Sequence, residues 1–182
     1  MDLTKQKIIF LDVDGVLATP KSIHEYAQRH NGTCPPGAPQ LDPYCCDVLK
    51  RIVNELNAFV VISSTWRKND KDLADLVRFL SYFNIPILGT TPSITSGFGG
   101  IQMGRQMEIM TWCHDRKVHP DNILIIDDNS DDLTVYIDRL LKTDGAVGLQ
   151  ESDISKAIEI SNRASGFHMP NILKKKWWQF WK

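Results

Sequence analysis

Ile8-Ile9-Phe10-Leu11-Asp12-Val13-Asp14-Gly15-Val16-Leu17 runs from four consecutive apolar residues straight into two carboxylates and a glycine. An apolar run of that length, bounded by Lys7 on one side and by acids on the other, reads as a strand buried on both faces. Two carboxylates one residue apart at a strand's C-terminal tip sit at the mouth of an open sheet, where α/β folds bind their ligands. Gly15 lets the backbone turn back sharply, so that the carboxylates and a nearby carbonyl can converge on one ion. Taken alone, the stretch also fits a strand closed by an Asp-Gly hairpin turn. The remainder of the chain decides between the two.

Outward from that stretch, polar residues recur at the ends of apolar runs. Phe59-Val60-Val61-Ile62 is a second buried strand and leads directly into Ser63-Ser64-Thr65-Trp66-Arg67. Ile85-Pro86-Ile87-Leu88 is a short third strand. Asn122-Ile123-Leu124-Ile125-Ile126 is the fourth and ends in Asp127, Asp128, Asp131 and Asp132. One or two weaker strands lie between Leu140 and Leu149. Helices separate them. Asp42-Pro43 supplies an N-cap acceptor and a proline at the first helical position, and Cys45, Val48, Leu49, Ile52, Val53 and Leu56 follow at helical spacing, closed by Asn57. Leu73, Leu76, Val77 and Leu80 mark the next helix from Asn69. Arg105 opens another, with Ile109, Trp112 and Cys113 facing inward. Ile154, Ala157 and Ile158 mark a last one.

Strands alternating with helices imply a parallel, Rossmann-like sheet with right-handed crossovers and helices on both faces. All strand C-termini then lie at one edge. Asp12/Asp14, Ser63 and Asp127/Asp128 each end a different strand, so three distant segments deliver polar groups to one place. Clustered carboxylates repel one another unless a cation neutralises them. An all-oxygen donor set without His or Cys selects a hard cation, magnesium being the usual one beside phosphate. A carboxylate there can attack a phosphoryl group, a second can shuttle the proton, and a hydroxyl with a cationic side chain can clamp the equatorial oxygens.

The 182 residues suit one domain with a single core. A net charge of −1 argues against coating nucleic acid through bulk charge. Cys34, Cys45, Cys46 and Cys113 show no metal-binding or redox spacing, so reduced thiols are expected. The N-terminus has no apolar signal region, and no apolar run approaches membrane-spanning length, so a cytoplasmic location is expected.

Asp-x-Asp-Gly-Val-Leu after a hydrophobic strand, Ser63 after the second, Arg105 at a helix start and Asp127-Asp128 after the fourth together resemble the ordered motifs of the haloacid dehalogenase (HAD) superfamily, over most of residues 7 to 160. The resemblance implies a magnesium-dependent phosphohydrolase working through an aspartyl-phosphate. In it Asp12 is the nucleophile and Asp14 the general acid/base, whose carbonyl also meets the metal. Ser63 binds the phosphoryl group, with Ser64 the less favoured neighbour. Arg105 is the basic third-motif residue, ahead of Lys68 and Lys117. Asp127 and Asp128 join Asp12 and Asp14 as metal residues, and Asp132 fits a trailing acid, whereas Asp131 reads as a helix-start residue. Arg67 is placed to reach a substrate phosphate bidentately. Val-Ile-Ser-Ser-Thr-Trp-Arg, Gly-Thr-Thr-Pro, Arg105 with Glu108-Ile109, and Ile-Ile-Asp-Asp-Asn-Ser-Asp are similar to a small bacterial and phage subgroup related to HAD domains of RNA-repair enzymes. Gln106 departs from that pattern, which has glycine there.

The intervals where HAD proteins carry caps, residues 18–41 and 89–104, are too short to fold a substantial cap. The first is a Pro/Gly-rich loop with one short helix, Ser22 to Arg29. Little or no cap implies an open site, fitting a nucleotide, a nucleic-acid end or another phosphomonoester. A HAD-fold metal- or phosphate-binding protein without turnover, and a phosphotransferase, are the alternatives. A catalytic domain is expected over 1–167 and a separate tail over 168–182. Within the tail, Lys174-Lys175-Lys176-Trp177-Trp178-Gln179-Phe180-Trp181-Lys182 has the chemistry to meet an anionic membrane surface, nucleic acid or a protein partner.

Overall fold

The structure, a computed structural model, describes residues 2–94 and 104–166. Five strands, β1 (Lys7–Leu11), β2 (Ala58–Ile62), β3 (Ile87–Thr90), β4 (Ile123–Asp127) and β5 (Leu140–Lys142), form one sheet in the order β3-β2-β1-β4-β5. Every neighbouring pair is parallel. The chain builds outward from β1 through β2 to β3, then returns to add β4 and β5 on the other side. The order therefore reverses between β1 and β4, which makes the crevice at their C-terminal ends the expected ligand position.

Ladder hydrogen bonds continue one residue beyond the strands and fix their tips side by side. Thr91 N donates to Ile62 O (3.0 Å), Ser63 N to Leu11 O (2.8 Å), Asp12 N to Ile126 O (2.9 Å) and Thr143 N to Asp127 O (3.0 Å). Thr91, Ser63, Asp12, Asp127 and Thr143 are thus set in a row by backbone pairing alone.

The helices are α1 (Pro20–Arg29), α2 (Pro43–Leu56), α3 (Asp70–Ser81), α4 (Gly104–Arg116) and α5 (Ser152–Asn162), of which α2 to α5 cover the two faces of the sheet. Ile9, Leu11, Val60, Ile62, Leu124 and Ile126 point to one face, where Leu49 and Ile52 of α2, Leu76 and Leu80 of α3 and Ala157 of α5 cover them. Ile8, Phe10, Val61, Ile123 and Ile125 point to the other, against Met107, Ile109, Met110 and Trp112 of α4. Phe10 meets Trp112 edge-on at 5.3 Å. With each such side chain contributing about 1.5–3 kcal/mol when buried, the alternation along β1 locks its register. A slip of one residue would turn Asp12 into the core.

The local signals act as their chemistry requires. Asp42 caps α2 by accepting from Tyr44 N, Pro43 fills the first turn, and Asn57 ends the helix at φ 47°. Three details differ from the sequence reading. The third strand begins at Ile87 rather than Ile85, because Pro86 has no N–H to give the ladder and only its carbonyl is used, by Val60 N. Val77 lies on the exposed side of α3. The weaker strand region resolves into β5 and a single Asp144–Gly148 bridge. Among the described residues the stretch between β1 and α2 holds only α1 and a short helical turn, so no cap domain is present there. No described helix is long and apolar enough to cross a membrane. Residues 95–103, part of the Gly/Thr/Ser/Pro-rich interval, and residues 167–182, with the basic-aromatic stretch, lie outside the described residues.

Candidate active site

The turn after β1 is stitched into a compact shape. Leu17 N and Ala18 N both donate to Val13 O (2.8 and 2.9 Å), and Gly15 N donates to Ala18 O (2.7 Å). Gly15 adopts φ 73°, which a side chain would strain. Its carbonyl accepts from Thr143 Oγ1 (2.9 Å), tying the turn to the tip of β5. Asp12 stands at the head of this turn, 6% exposed.

On the neighbouring strand, Asp127 is the last residue of β4 and is 2% exposed. One of its oxygens accepts from Asn129 N (2.9 Å), an Asx turn that continues with Asp131 N donating to Asn129 Oδ1 (2.9 Å). Between them lies Asp128, wedged by two glycines: a Cβ on Gly15 would overlap its carboxylate, and one on Gly145 would come within 2.6 Å of Oδ2. Asp12, Asp127 and Asp128 each offer an oxygen, and these atoms all lie within 4.8 Å of one another. The donors are hard, charged and preset on three backbone positions, which fits a hard divalent cation such as magnesium.

Arg105 enters this cluster from the first turn of α4. Its Nη1 lies 3.1 Å from Asp12 Oδ2 and also pairs with Asp127. Burial works against the guanidinium charge, but the two carboxylates outweigh it and Arg105 stays firmly protonated. Burial pushes Asp127 up to about 6, opposed by Arg105 and reinforced by Asp12. Asp12, Arg105, Asp127, Asp128, Asn129, Asp132 and Leu133 line one cleft at this edge.

Asp14 is more exposed than Asp12, Asp127 and Asp128. Desolvation of its carboxyl raises its pKa, a hydrogen bond from Trp66 Nε1 (3.0 Å) works the other way, and Asp12 and Asp128 raise it further. A carboxyl whose surroundings raise its affinity for a proton has the chemistry for proton transfer. Ser63 is 1% exposed, and its hydroxyl has no partner among the described residues. Ser64 Oγ instead caps the short turn Thr65–Lys68 by accepting from Trp66 N. The two serines thus have different surroundings: one hydroxyl is engaged, the other is not.

Arg67 is placed otherwise than the sequence reading expects. Its guanidinium is buried, paired with Glu108 at 2.6 Å and bonded to Ser64 O at 2.5 Å, so it does not line the cleft. Asp132 does line it, packed against Gly104 so closely that a Cβ there would overlap the carboxylate. Gln106 is 8% exposed; its N donates to Asp132 O (3.1 Å), while its side-chain oxygen accepts from Thr134 Oγ1 and Val135 N. The residue that departs from the family pattern thus fastens the acidic loop to α4. Of the rival basic residues, Lys68 is exposed on the turn after β2 and Lys117 follows the far end of α4. Sequence reading quoted Trp66 and Glu108 only within motifs, with no role assigned, and did not single out Thr143 or Gly145.

A parallel sheet with an acidic cluster and an arginine at its switch point is the arrangement that the resemblance to the HAD superfamily implies. Residues 8–154 match the model of the HAD domain in Swiss Army Knife RNA repair proteins, and the chain belongs to that family. No curated protein matches the sequence. Among solved structures it is similar to a protein assigned to the HAD family hydrolases from Streptomyces avermitilis MA-4680, with 17% identity and a TM-score of 0.36. That match covers 71% of this chain and 64% of the other, so the chain spans somewhat under two-thirds of that protein's length.

Proposed function

We propose that the protein is a magnesium-dependent phosphohydrolase that cleaves phosphomonoesters through a phosphoryl group carried on Asp12. The observation that supports this most is the convergence of Asp12, Asp127 and Asp128 within 4.8 Å, with Arg105 bridging two of them. Asp12, Asp127 and Asp128, with the Asp14 carbonyl, would hold the ion. When bound, it neutralises the clustered carboxylates and the charge on the transferring group.

The chain's own residues supply the rest. Arg105 orients the Asp12 carboxylate through its 3.1 Å contact. An oxygen of Asp12 attacks phosphorus as the bond to the leaving oxygen breaks, and Asp14 gives that oxygen its proton. Asp14 then takes a proton from water, which attacks phosphorus and releases phosphate and free Asp12. Ser63, directly opposite Asp12 as the β1–β2 register continues, donates to a phosphoryl oxygen, and Arg105 offsets the charge there.

A terminal phosphate on a nucleotide or a nucleic-acid end is the favoured substrate. Two things support it: the family is that of HAD domains in RNA repair proteins, and the described residues put no cap between β1 and α2. The test is phosphate release from an aryl phosphate, 5′- and 3′-nucleotides and 5′- and 3′-phosphorylated oligonucleotides, with magnesium and with chelator. Release that needs magnesium and disappears in Asp12→Asn supports the proposal. No release from any substrate, with magnesium still bound by calorimetry, rejects it.

A further inference from the structure

The buried ion pair between Arg67 and Glu108 joins three segments. Arg67 lies on the turn after β2, three residues beyond Ser64, and donates to the Ser64 carbonyl at 2.5 Å. Glu108 lies on α4 one turn after Arg105 and pairs with Arg67 at 2.6 Å. The second oxygen of Glu108 accepts from Ile94 N at 3.2 Å, holding the chain where it leaves β3. Both side chains are nearly inaccessible, 6% and 10% exposed. An apolar pair of similar volume would commonly serve stability as well or better. What the ion pair adds is a fixed bond direction at each end.

We propose that Arg67 and Glu108 are positioning residues that set the distance between the Ser63 hydroxyl and the Arg105 guanidinium, and neither touches the substrate. The inference rests on the phosphohydrolase reading above. Ser63 follows β2 and Arg105 lies on α4, so no ladder bond joins them, and Arg105 otherwise reaches the sheet edge only through Asp12 and Asp127 among the described residues. The Ser64 carbonyl, Arg67 and Glu108 form a second polar path between the two elements. A shift of about 1 Å in either group is enough to cost on the order of 100-fold in rate. A shared path also means that breaking it at either end has the same consequence.

The experiment compares the parent with Glu108→Gln, Arg67→Lys, Arg67→Met and the double variant Arg67→Met/Glu108→Gln on an aryl phosphate at saturating magnesium. Glu108→Gln keeps shape and the bond to Ile94 N, and Arg67→Lys keeps the charge, so at least these are expected to fold. The proposal expects kcat to fall about 10–100-fold in Glu108→Gln and Arg67→Met, with KM within about twofold. The double variant should be no worse than the poorer single one, and Arg67→Lys should recover part of the loss. A raised KM with kcat retained in Arg67→Met, with Glu108→Gln unaffected, would place Arg67 on the substrate and overturn the proposal. Lower melting temperatures with unchanged kcat would overturn it as well, leaving a structural role. Amide exchange of parent and Glu108→Gln gives a readout that needs no turnover. Joint loss of protection at 64–67 and 105–108 supports the positioning role even if no phosphomonoester is hydrolysed; unchanged protection there overturns it.

Discussion

Gly145→Ala isolates the contribution of one carboxylate without touching it. Gly145 has no positive φ, so alanine meets no backbone strain. Its Cβ would lie 2.6 Å from Asp128 Oδ2 and 3.5 Å from Asp128 Cγ. Ordinary contact begins near 3.4 Å, so the oxygen must retreat by about 0.8 Å, the difference between the two distances. Gly15 blocks retreat on the other side, since the same carboxylate already fills the space a Cβ would take there. Asp128 must therefore swing away from Asp12 and Asp127. A displaced ligand group should weaken magnesium about 10–100-fold, while overall stability stays within about 0.5 kcal/mol of the parent, as for a substitution away from the core. Calorimetric magnesium titration and the magnesium dependence of phosphate release read this directly. Activity should return as magnesium is raised. Parent-like magnesium affinity in a folded Gly145→Ala protein would refute the assignment of Asp128 as a ligand.

Other perturbations separate the remaining parts. Asp127 titrates near 6 in the fold against 3.8 for an exposed aspartate. The folded state therefore holds its proton more tightly, a stabilisation present below pH 4 and lost as pH rises through 6. At 1.36 kcal/mol per pH unit this is about 3 kcal/mol, so urea melts of metal-free protein should lose stability over that window, and Asp127→Asn should flatten the loss. Arg105→Lys keeps one charge but loses the Nη1 that meets both Asp12 and Asp127; kcat should drop about 100-fold or more with the fold retained by circular dichroism. Asp14→Asn should lower kcat by about 10²–10⁴-fold while magnesium affinity, read by calorimetry, changes far less. Removing residues 168–182 should leave kcat/KM for a small aryl phosphate within about twofold, because the sequence sets the tail apart from the catalytic domain; a larger loss would place the tail at the site.

The parallel sheet and its acidic edge were legible because each carboxylate directly follows an apolar run. Ile8–Leu11 before Asp12 and Ile123–Ile126 before Asp127 leave little freedom about where the acids go. Ser63 followed for the same reason. Arg67 was misleading: a cation beside two candidate phosphate-binding serines looks like a substrate group until its buried partner is known. Glu108 gave one usable signal, since it sits between the buried Met107 and Ile109, where an acid on that face of α4 needs a partner. Gly145 carried another, because Asp144-Gly145 follows β5 at the same sheet edge, but only the fold shows which carboxylate it approaches. Gln106 looked like a departure from the family pattern and is explained by the two hydrogen bonds its side-chain oxygen accepts from Thr134 and Val135.

The central claim is that Asp12 carries the phosphoryl group. Rapid acid quench of the protein turning over a phosphate-labelled substrate with magnesium, followed by peptide mapping, tests it most directly. The account predicts label on the peptide containing Asp12, sensitive to hydroxylamine as an acyl phosphate is, and absent from Asp12→Asn. Phosphate release by an Asp12→Asn protein at the parent rate, or label on Ser63 in place of Asp12, would contradict it.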